Sequence, residues 1–515
     1  MIKINLSINK YKNELLANIG IGFAAFFLMI SQNLVNNYDG MWWFSNYKAG
    51  SWERSIGRWV WPFLDKMRFG VVSIVLNSFL TFLLIGIANI MILNVLDIRK
   101  KQIRYAFMAS FLITPLVCDL LSYCYMSPTF GAAYLFSVIA AFVILNASSL
   151  ITAIGSGTVF VVLTMGCYQA YIGVTCVVVL FGLMFMLLRQ DAVRTITDRI
   201  IRFAGAFLVG GIAYKLLTSL MCILYDIRLD DYNGAADVSV FGIIRNFPRQ
   251  VVEVNKDFMR FFLTDSIQKN YFGLKYANLA FLILAVLAFI AGIWQFRKRK
   301  KGDMVLYILV FAAIPTAANI AMIIAYDSHI ILQMEAALIL LPGLVLCLYE
   351  KLFENRIWKK AYLIFLFLMI WINVCIVQND QLAMREGLNA SVTIGSNAAE
   401  KVIDSGYMEG KRKVAFVGRP SANRYFLKSS AWKKANGYAQ VGEWWLTADC
   451  NRHSWQGIIK GYCGINFTFC SDKTYNKLLR KYSEELAAMP CYPEDGFMKV
   501  IHKTLVVKIS NEYVP

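Results

Sequence analysis

The chain has few charged residues and almost no histidine. Asp, Glu, Lys and Arg together make up 17% of its 515 residues, and three histidines occur in total. So little charge excludes a soluble globular fold. Three histidines without a CxxC or HExxH spacing predict no zinc site. A glycine-rich phosphate loop before a helix is also missing, so the sequence offers no familiar nucleotide site.

Long apolar runs dominate the first three quarters of the chain. Hydrophobic residues make up 58% of the sequence, and the mean hydropathy is +0.52. A run of about twenty such residues can cross about 30 Å of hydrocarbon, and in lipid it must be helical. The runs 153–169 and 171–188 meet at a polar break and could instead form a re-entrant hairpin. We predict an all-α polytopic membrane protein with about eleven transmembrane helices, at residues 15–35, 71–95, 105–122, 131–150, 153–169, 171–188, 203–225, 276–296, 304–325, 330–349 and 361–378.

The net charge of +19 is concentrated in the joints between the apolar runs. With the N-terminus in the cytoplasm, every inner joint is basic, whereas the short outer joints 123–130 and 327–329 contain no Lys or Arg. This asymmetry satisfies the positive-inside rule. It predicts a multi-pass protein of the bacterial plasma membrane, in contact with membrane lipid, and it argues against a nucleic-acid partner. Run 15–35 has no evident cleavage site, so we interpret it as an uncleaved first helix.

The composition becomes globular after residue 378. We therefore predict a transmembrane domain at 1–378, with outer loops 36–70 and 226–275, and a small extracytoplasmic α/β domain at 379–515. The predicted elements of the second domain are a helix at 391–407, a strand at 413–418, a helix at 472–489 and a strand at 500–509. Four cysteines there could form one or two disulfides or stay free, and the sequence leaves both alternatives open: Cys450, Cys463, Cys470 and Cys491.

The outer loop 36–70 mixes carboxylates, arginines and five of the twelve tryptophans. Asp39 lies at the outer membrane boundary. If residues 52–61 form a short helix, Arg54 and Arg58 share one face, and paired guanidinium groups suit a phosphate. Alternatively, these arginines bind lipid headgroups. We interpret the tryptophans mainly as an interfacial aromatic belt.

Polar residues near the ends of other spans are further candidates. Phenol and amide groups can bind sugar hydroxyls, and phenol rings can stack on sugar faces. A carboxylate within a span is costly, which makes Glu335 a functional candidate, although an interhelical hydrogen bond from a neighbour is the simpler alternative. Loop 226–275 could close as a lid or present a solvated face of mixed charge. The candidate substrate-binding residues are Glu53, Asp65, Tyr168, Gln169, His329, Gln333 and Glu335.

Several short motifs resemble the Gtr-type II glucosyltransferases, membrane enzymes that modify O-antigen or related surface polysaccharides. They are Tyr38-Asp39-Gly40 after the first run, Gly57-Arg58-Trp59 before the second, the break at 166–169, and the segments KVAFVG at 413–418 and MPCYPEDG with LVVKI at 489–509. The resemblance implies a polytopic transferase of the GT-C class. Such enzymes transfer a sugar, here a hexose and by the family name glucose, from a polyprenyl-phosphate carrier on the outer face.

The resemblance also implies roles for two residues. Asp39 matches the acidic residue of the first outer loop, and Arg58 matches the basic residue beside it. Many relatives have paired acidic residues, but Gly40 follows Asp39 here, so Glu53 or Asp65 would supply the second carboxylate. This departure leaves a requirement for a divalent cation open. The expected chemistry is inverting, with Asp39 as base and the arginines, Arg54 included, as clamps for the donor phosphate.

Two other membrane functions compete with transfer. A transporter or flippase of lipid-linked sugars predicts an internal repeat with broken helices at the membrane centre, and no such repeat is evident. A polysaccharide ligase or polymerase would place arginines and histidines in one large outer loop. Loop 226–275 has arginines but no histidine. The sequence therefore favours transfer to a surface polysaccharide or a lipid-linked glycan.

Overall fold

The structure is a computed structural model that describes residues 8–43, 46–230, 232, 240–297, 301–326, 328, 330–407, 409 and 412–514. Most of these residues are helical. The helices are α1 Ile8–Ala25, α2 Phe27–Ser31, α3 Asp39–Trp42, α4 Ser51–Ser55, α5 Trp61–Met67, α6 Ile74–Val95, α7 Lys101–Leu112, α8 Pro115–Ser122, α9 Ser127–Asn146, α10 Leu150–Cys167, α11 Ile172–Leu188, α12 Val193–Leu224, α13 Val240–Leu263, α14 Leu274–Phe296, α15 Lys301–Ala312, α16 Ile314–Ala318, α17 Ile320–Ile324, α18 Ala336–Leu352, α19 Arg356–Asp404, α20 Ser430–Lys434, α21 Ala448–Gln456, α22 Asp472–Lys481 and α23 Ser483–Ala488.

Seven helices in the described part of the chain are long and apolar enough to cross a membrane, and the pair α7 and α8, bent by 52°, would make eight. The prediction of about eleven spans is therefore too high. Run 15–35 is divided into α1 and α2 at Phe26, and run 304–325 is divided into three short helices. Pro315 in the first turn of α16 is one cause, because proline fits a helix start but not its interior. Run 330–349 becomes helical only from Ala336.

The polar break at 168–171 joins two separate helices. A short 3₁₀ turn, Gln169–Tyr171, connects α10 to α11, and both flanking helices are long enough to cross the membrane. Helix α10 packs on α9 and α12, whereas α11 packs on α9 and α18. This arrangement favours two spans over a re-entrant hairpin.

Helix α19 connects the membrane helices to the C-terminal α/β region, which we define as residues 412–514. Its 49 residues pass through the predicted boundary at 379 and include the helix predicted at 391–407. Close packing explains why it stays attached to this region. A Cβ atom on Gly387 would lie 2.3 Å from the Val441 carbonyl oxygen, so only glycine permits this approach.

A three-stranded sheet forms the core of the C-terminal region. Strand β1 (Lys413–Val417) pairs in parallel with β3 (Thr504–Lys508), and β3 pairs antiparallel with β2 (Met498–Ile501). The single strand predicted at 500–509 is thus a hairpin, because His502 and Lys503 both adopt positive φ angles, as in a type I′ turn. The helix predicted at 472–489 is divided into α22 and α23. The four cysteines of the region are free thiols.

Candidate functional site

Asp39 is held by a tight turn at the end of the first apolar run. It begins helix α3, directly after Tyr38, which adopts a φ of +59°. The side chain of Asn36 accepts a hydrogen bond of 2.8 Å from the backbone N–H of Gly40. A Cβ atom on Gly40 would lie 2.8 Å from the Ser122 carbonyl oxygen. The glycine of the Tyr-Asp-Gly motif is therefore needed for this close approach. The approach fixes the position of the backbone that carries the Asp39 carboxylate.

The surroundings of Asp39 favour a carboxyl group that titrates near neutral pH. Burial raises its pKa to about 7, although the Arg58 guanidinium lowers it, and Asp449 of helix α21 contributes to the rise. A carboxyl group with such a pKa can gain and lose a proton at neutral pH, which suits a general base.

Arg58 is held by two residues of the break between α10 and α11. Its Nε donates a hydrogen bond of 3.4 Å to the Gln169 side chain, and its guanidinium lies 4.6 Å from the centre of the Tyr168 ring. Gln169 in turn donates to the Ile56 carbonyl oxygen at 2.8 Å. Two predicted sites that lie more than 100 residues apart in the sequence thus form one site in space.

Arg54 does not share a helix face with Arg58, so that expectation is wrong. Helix α4 ends at Ser55, and Gly57 then adopts a φ of +79°, which turns the chain. The Arg54 guanidinium instead lies 4.0 Å from the centre of the Tyr225 ring at the end of α12.

Glu53 and Asp65 contribute to the internal framework of loop 36–70. Glu53 accepts hydrogen bonds from the Tyr47 hydroxyl and from the Gly50 N–H. Asp65 forms an ion pair with Arg68 and accepts a bond of 2.8 Å from the Ala49 N–H. Both carboxylates therefore hold the loop in shape, and the structure brings other acidic groups to the site.

Sequence reasoning missed two acidic residues, Asp449 beside Tyr38 and the buried Asp119 of helix α8. Asp449 accepts a hydrogen bond of 3.3 Å from the Tyr38 hydroxyl. Asp119 of helix α8 is buried, and Tyr123 lies within electrostatic range of both Asp119 and Asp39. A signal for Asp119 was available, since a carboxylate inside an apolar run is costly. No such signal existed for Asp449, because only the fold brings it to Asp39.

The remaining candidates occupy different surroundings. Gln333 donates a hydrogen bond of 3.4 Å to Asp119. Glu335 is fully buried beside Asn319 and Asp257. His329 lies outside the described residues. Loop 226–275 contains α13, which packs on α14, α16 and α17, so this helix rests on its neighbours in the structure.

A family model described as "Glucosyl transferase GtrII" matches residues 28–342. This match spans more than half of the chain. The chain belongs to the GtrII glucosyltransferase family. The resemblance read from the sequence motifs is thereby confirmed. No curated protein and no solved structure matches the chain.

The GtrII match contains Asp39, Arg58, Asp119 and the Tyr168-Gln169 pair, and it ends before helix α19. Membership in this family means that the protein is a glycosyltransferase, and its candidate spans make it an integral membrane protein. Asp449 lies outside the matched part, so the C-terminal region adds a group of its own to the neighbourhood of Asp39.

The C-terminal region of this GtrII protein packs directly on helix α3. The His453 ring stacks on the Trp42 indole with ring centres 3.5 Å apart. Burial and the neighbouring Arg452 lower the pKa of His453 to about 4, so the ring is neutral at physiological pH. Trp42 is therefore part of an interface. The interpretation of the tryptophans as an interfacial aromatic belt does not fit Trp59 and Trp61, which are buried, whereas Trp52 is exposed.

Gly457 provides a test of this interface. A Cβ atom there would lie 2.4 Å from the Met41 carbonyl oxygen. This oxygen belongs to the backbone, so no change of side-chain rotamer can relieve the clash. We expect Gly457→Ala to separate α21 from α3, to lower stability by about 1–3 kcal/mol and to reduce transfer by about 100-fold if Asp39 shifts by about 1 Å. Thermal unfolding and transfer rates of the purified protein measure both effects.

The matched control is Gly437→Ala in the same region. A Cβ atom on Gly437 would meet nothing within 4 Å, so this variant should keep the stability and the activity of the parent. Equal behaviour of the two variants would contradict the close packing of Gly457 on Met41.

Proposed function

We propose that this GtrII family protein transfers a hexose, by the family name glucose, from a polyprenyl-phosphate carrier to a hydroxyl of a surface polysaccharide or a lipid-linked glycan. The observation that carries the proposal is that Asp39, whose pKa is raised to about 7, lies within electrostatic range of Arg58 in loop 36–70. A lipid-linked donor would meet both groups where the chain leaves the membrane.

Arg58 is suited to the phosphate of the donor. The contacts with Tyr168 and Gln169 hold the guanidinium before the substrate arrives. Preorganised positive charge in a partly dry site stabilises the charge that grows on a leaving phosphate. Among the described residues, no group of three or more His, Cys, Asp or Glu is placed to hold a metal ion. Because Tyr168 and Gln169 hold its guanidinium in place, the proposal assigns the phosphate charge to Arg58.

Asp39 is suited to the acceptor. The acceptor oxygen forms a bond to C1 of the sugar while the bond from C1 to the phosphate oxygen breaks. The electron pair of that bond leaves with the polyprenyl phosphate, and the proton of the acceptor hydroxyl passes to Asp39. Attack from the face opposite the phosphate inverts the configuration at C1.

We further propose that the reaction takes place on the outer face of the plasma membrane. The support is the charge pattern, which predicts a cytoplasmic N-terminus and, with run 15–35 as the first span, loop 36–70 outside; we assign the C-terminal region to the same side. The contact of α3 with α21 agrees with this arrangement, because it requires both segments to lie on the same side.

Reconstitution tests the proposed function. The purified full-length protein in liposomes should release polyprenyl phosphate from polyprenyl-phosphate glucose when surface polysaccharide is added, and mass spectrometry should detect one added hexose per acceptor site. Polyprenyl-phosphate mannose and galactose serve as matched donors. Movement of the intact donor across the bilayer without release of polyprenyl phosphate would contradict the proposal and favour a flippase.

A further inference from the structure

A groove of mixed polarity lies between helix α19 and the C-terminal region, and its lining includes apolar residues as well, namely Ala390, Ile394, Leu427 and Pro493. Its volume is about 580 Å³, within the roughly 300–1,000 Å³ typical of ligand pockets. One wall is a face of α19, and the other wall is formed by loops of the C-terminal region. The residues that the argument uses are Glu386, Asn389, Thr393 and Asn397 on α19, with Tyr425 and Tyr492 opposite.

The helix wall presents hydrogen-bonding groups at regular intervals. Asn389, Thr393 and Asn397 are exposed and four residues apart, so they lie on one helix face. At 1.5 Å per residue, this row is about 12 Å long, which exceeds the width of a single sugar ring. The Thr393 hydroxyl donates to the Asn389 backbone carbonyl oxygen at 2.8 Å and can still accept a hydrogen bond, and the two amides can both donate and accept, as sugar hydroxyls do.

The opposite wall presents aromatic rings. Tyr425 is 61% exposed in the groove, and Tyr492 lines the same space. A tyrosine offers a rigid apolar face with a polar tip. The described lining contains one carboxylate, Glu386, and no Lys or Arg. A neighbouring cation is Arg424, whose guanidinium lies 4.9 Å from the centre of the Tyr425 ring and forms an ion pair with Glu494. Because this cation is already paired, aromatic faces opposite amides favour a neutral saccharide over an anionic one.

Helix α19, one wall of the groove, also reaches the candidate active site, through a buried glycine that does not line the groove. Gly387 of α19 abuts Val441, and the N–H of the next residue, Gly442, donates a hydrogen bond of 2.9 Å to the Asn37 side chain. Asn37 stands two residues before Asp39. A two-residue segment therefore separates helix α19 from the turn that carries the carboxylate.

We infer that this groove binds the acceptor, as a neutral oligosaccharide stretch of the surface polysaccharide that lies along α19. Sugar faces pack on Tyr425 and Tyr492, and hydroxyl groups bond to the row of amides. The identification of this saccharide as the acceptor rests on the proposed function. The binding of a neutral saccharide in the groove does not depend on that function.

The test separates binding from transfer. Surface polysaccharide of the producing strain is cut into fragments, and anion exchange divides them into neutral and acidic pools. Calorimetry then measures the Kd of each pool for the full-length protein in nanodiscs without donor. We expect the wild-type protein to bind neutral fragments. The Tyr425→Ala variant should raise both this Kd and the acceptor KM about tenfold, because it removes a central aromatic contact. Its kcat should stay within about twofold of the wild-type value.

Two further variants complete the test. Asn389→Ala should also weaken binding, and Trp445→Ala is the matched control, since Trp445 is 76% exposed in the same region and does not line the groove. If wild type binds no neutral fragment, prefers the acidic pool, or binds equally well without Tyr425 and Asn389, the inference is overturned. If binding depends on Tyr425 but no polyprenyl phosphate is released, the saccharide site is supported and the proposed transfer fails.

Discussion

The Asp39→Asn variant is expected to lose about 10²–10⁴-fold in transfer rate at pH 8, the range that a positioned general base contributes. Asparagine keeps the size of the side chain but cannot accept the proton of the acceptor hydroxyl. The rate of polyprenyl-phosphate release by reconstituted protein measures the effect. Asp495→Asn, which alters an exposed carboxylate of the C-terminal region, is the matched control and should keep the parental rate.

The pH dependence adds a second readout for Asp39. Because burial raises its pKa to about 7, the deprotonated base becomes populated as pH rises, so the wild-type rate should increase from pH 5.5 and level off above pH 8. The residual rate of Asp39→Asn should lack this step. A wild-type rate that does not change over this range would contradict the role of Asp39 as base.

The same shift predicts an effect on stability. A carboxyl group whose pKa is raised from 3.8 to about 7 on folding keeps a proton that the unfolded chain has lost. Its contribution to stability therefore falls as pH rises from about 4 to 7, and the full cost applies above pH 7. Asp39→Asn removes that cost. Its Tm should exceed that of wild type at pH 8 by more than it does at pH 5.5.

The second large effect is expected at Arg58. Arg58→Ala should reduce kcat/KM for the lipid-linked donor by about 10²–10³-fold, as for other lost groups that stabilise a developing negative charge. Arg58→Lys should restore only part of this loss, since lysine keeps the charge but not the planar pair of donors. Donor-dependent release of polyprenyl phosphate measures both variants. Arg480→Ala, at an exposed arginine of the C-terminal region, should have no effect.

Comparison with Arg54 makes this prediction sharper. The Arg54 guanidinium packs on Tyr225, whereas Arg58 lies in electrostatic range of Asp39. Arg54→Ala should therefore reduce donor kcat/KM by less than tenfold. A larger loss for Arg54→Ala than for Arg58→Ala would mean that the phosphate binds on the Tyr225 side of the loop.

Local patterns were sufficient to predict several elements and the first residues of the site. The apolar runs that became α6, α9 and α14 are continuous, so their length alone predicts a span. The short apolar run of β1 predicts a buried strand, and the β-branched residues around β3 predict a strand as well. Asp39 and Arg58 stood out because charge at a membrane boundary has no structural need, and a short motif surrounds each of them.

Local sequence patterns failed to predict helix ends that depend on contacts with residues far away in the sequence. The hydropathy of run 15–35 does not change at Phe26, so the sequence predicts one helix where the structure has two. Helix α19 continues past residue 379 because Gly387 and Gly395 let it pack closely on the C-terminal region. Those contacts join residues that are distant in sequence, and no window of the sequence contains both partners.

The sequence by itself determined that this is a polytopic membrane protein of the GtrII family, with a carboxylate and an arginine in the loop between its first two apolar runs. Hydrophobic length and short motifs are local properties, and they suffice for that. Only the tertiary structure decided which groups surround Asp39. It assigns Glu53 and Asp65 to the loop framework, brings Tyr168 and Gln169 to Arg58, and adds Asp449 from the C-terminal region. The physical reason is that burial and electrostatic neighbours depend on packing between distant segments.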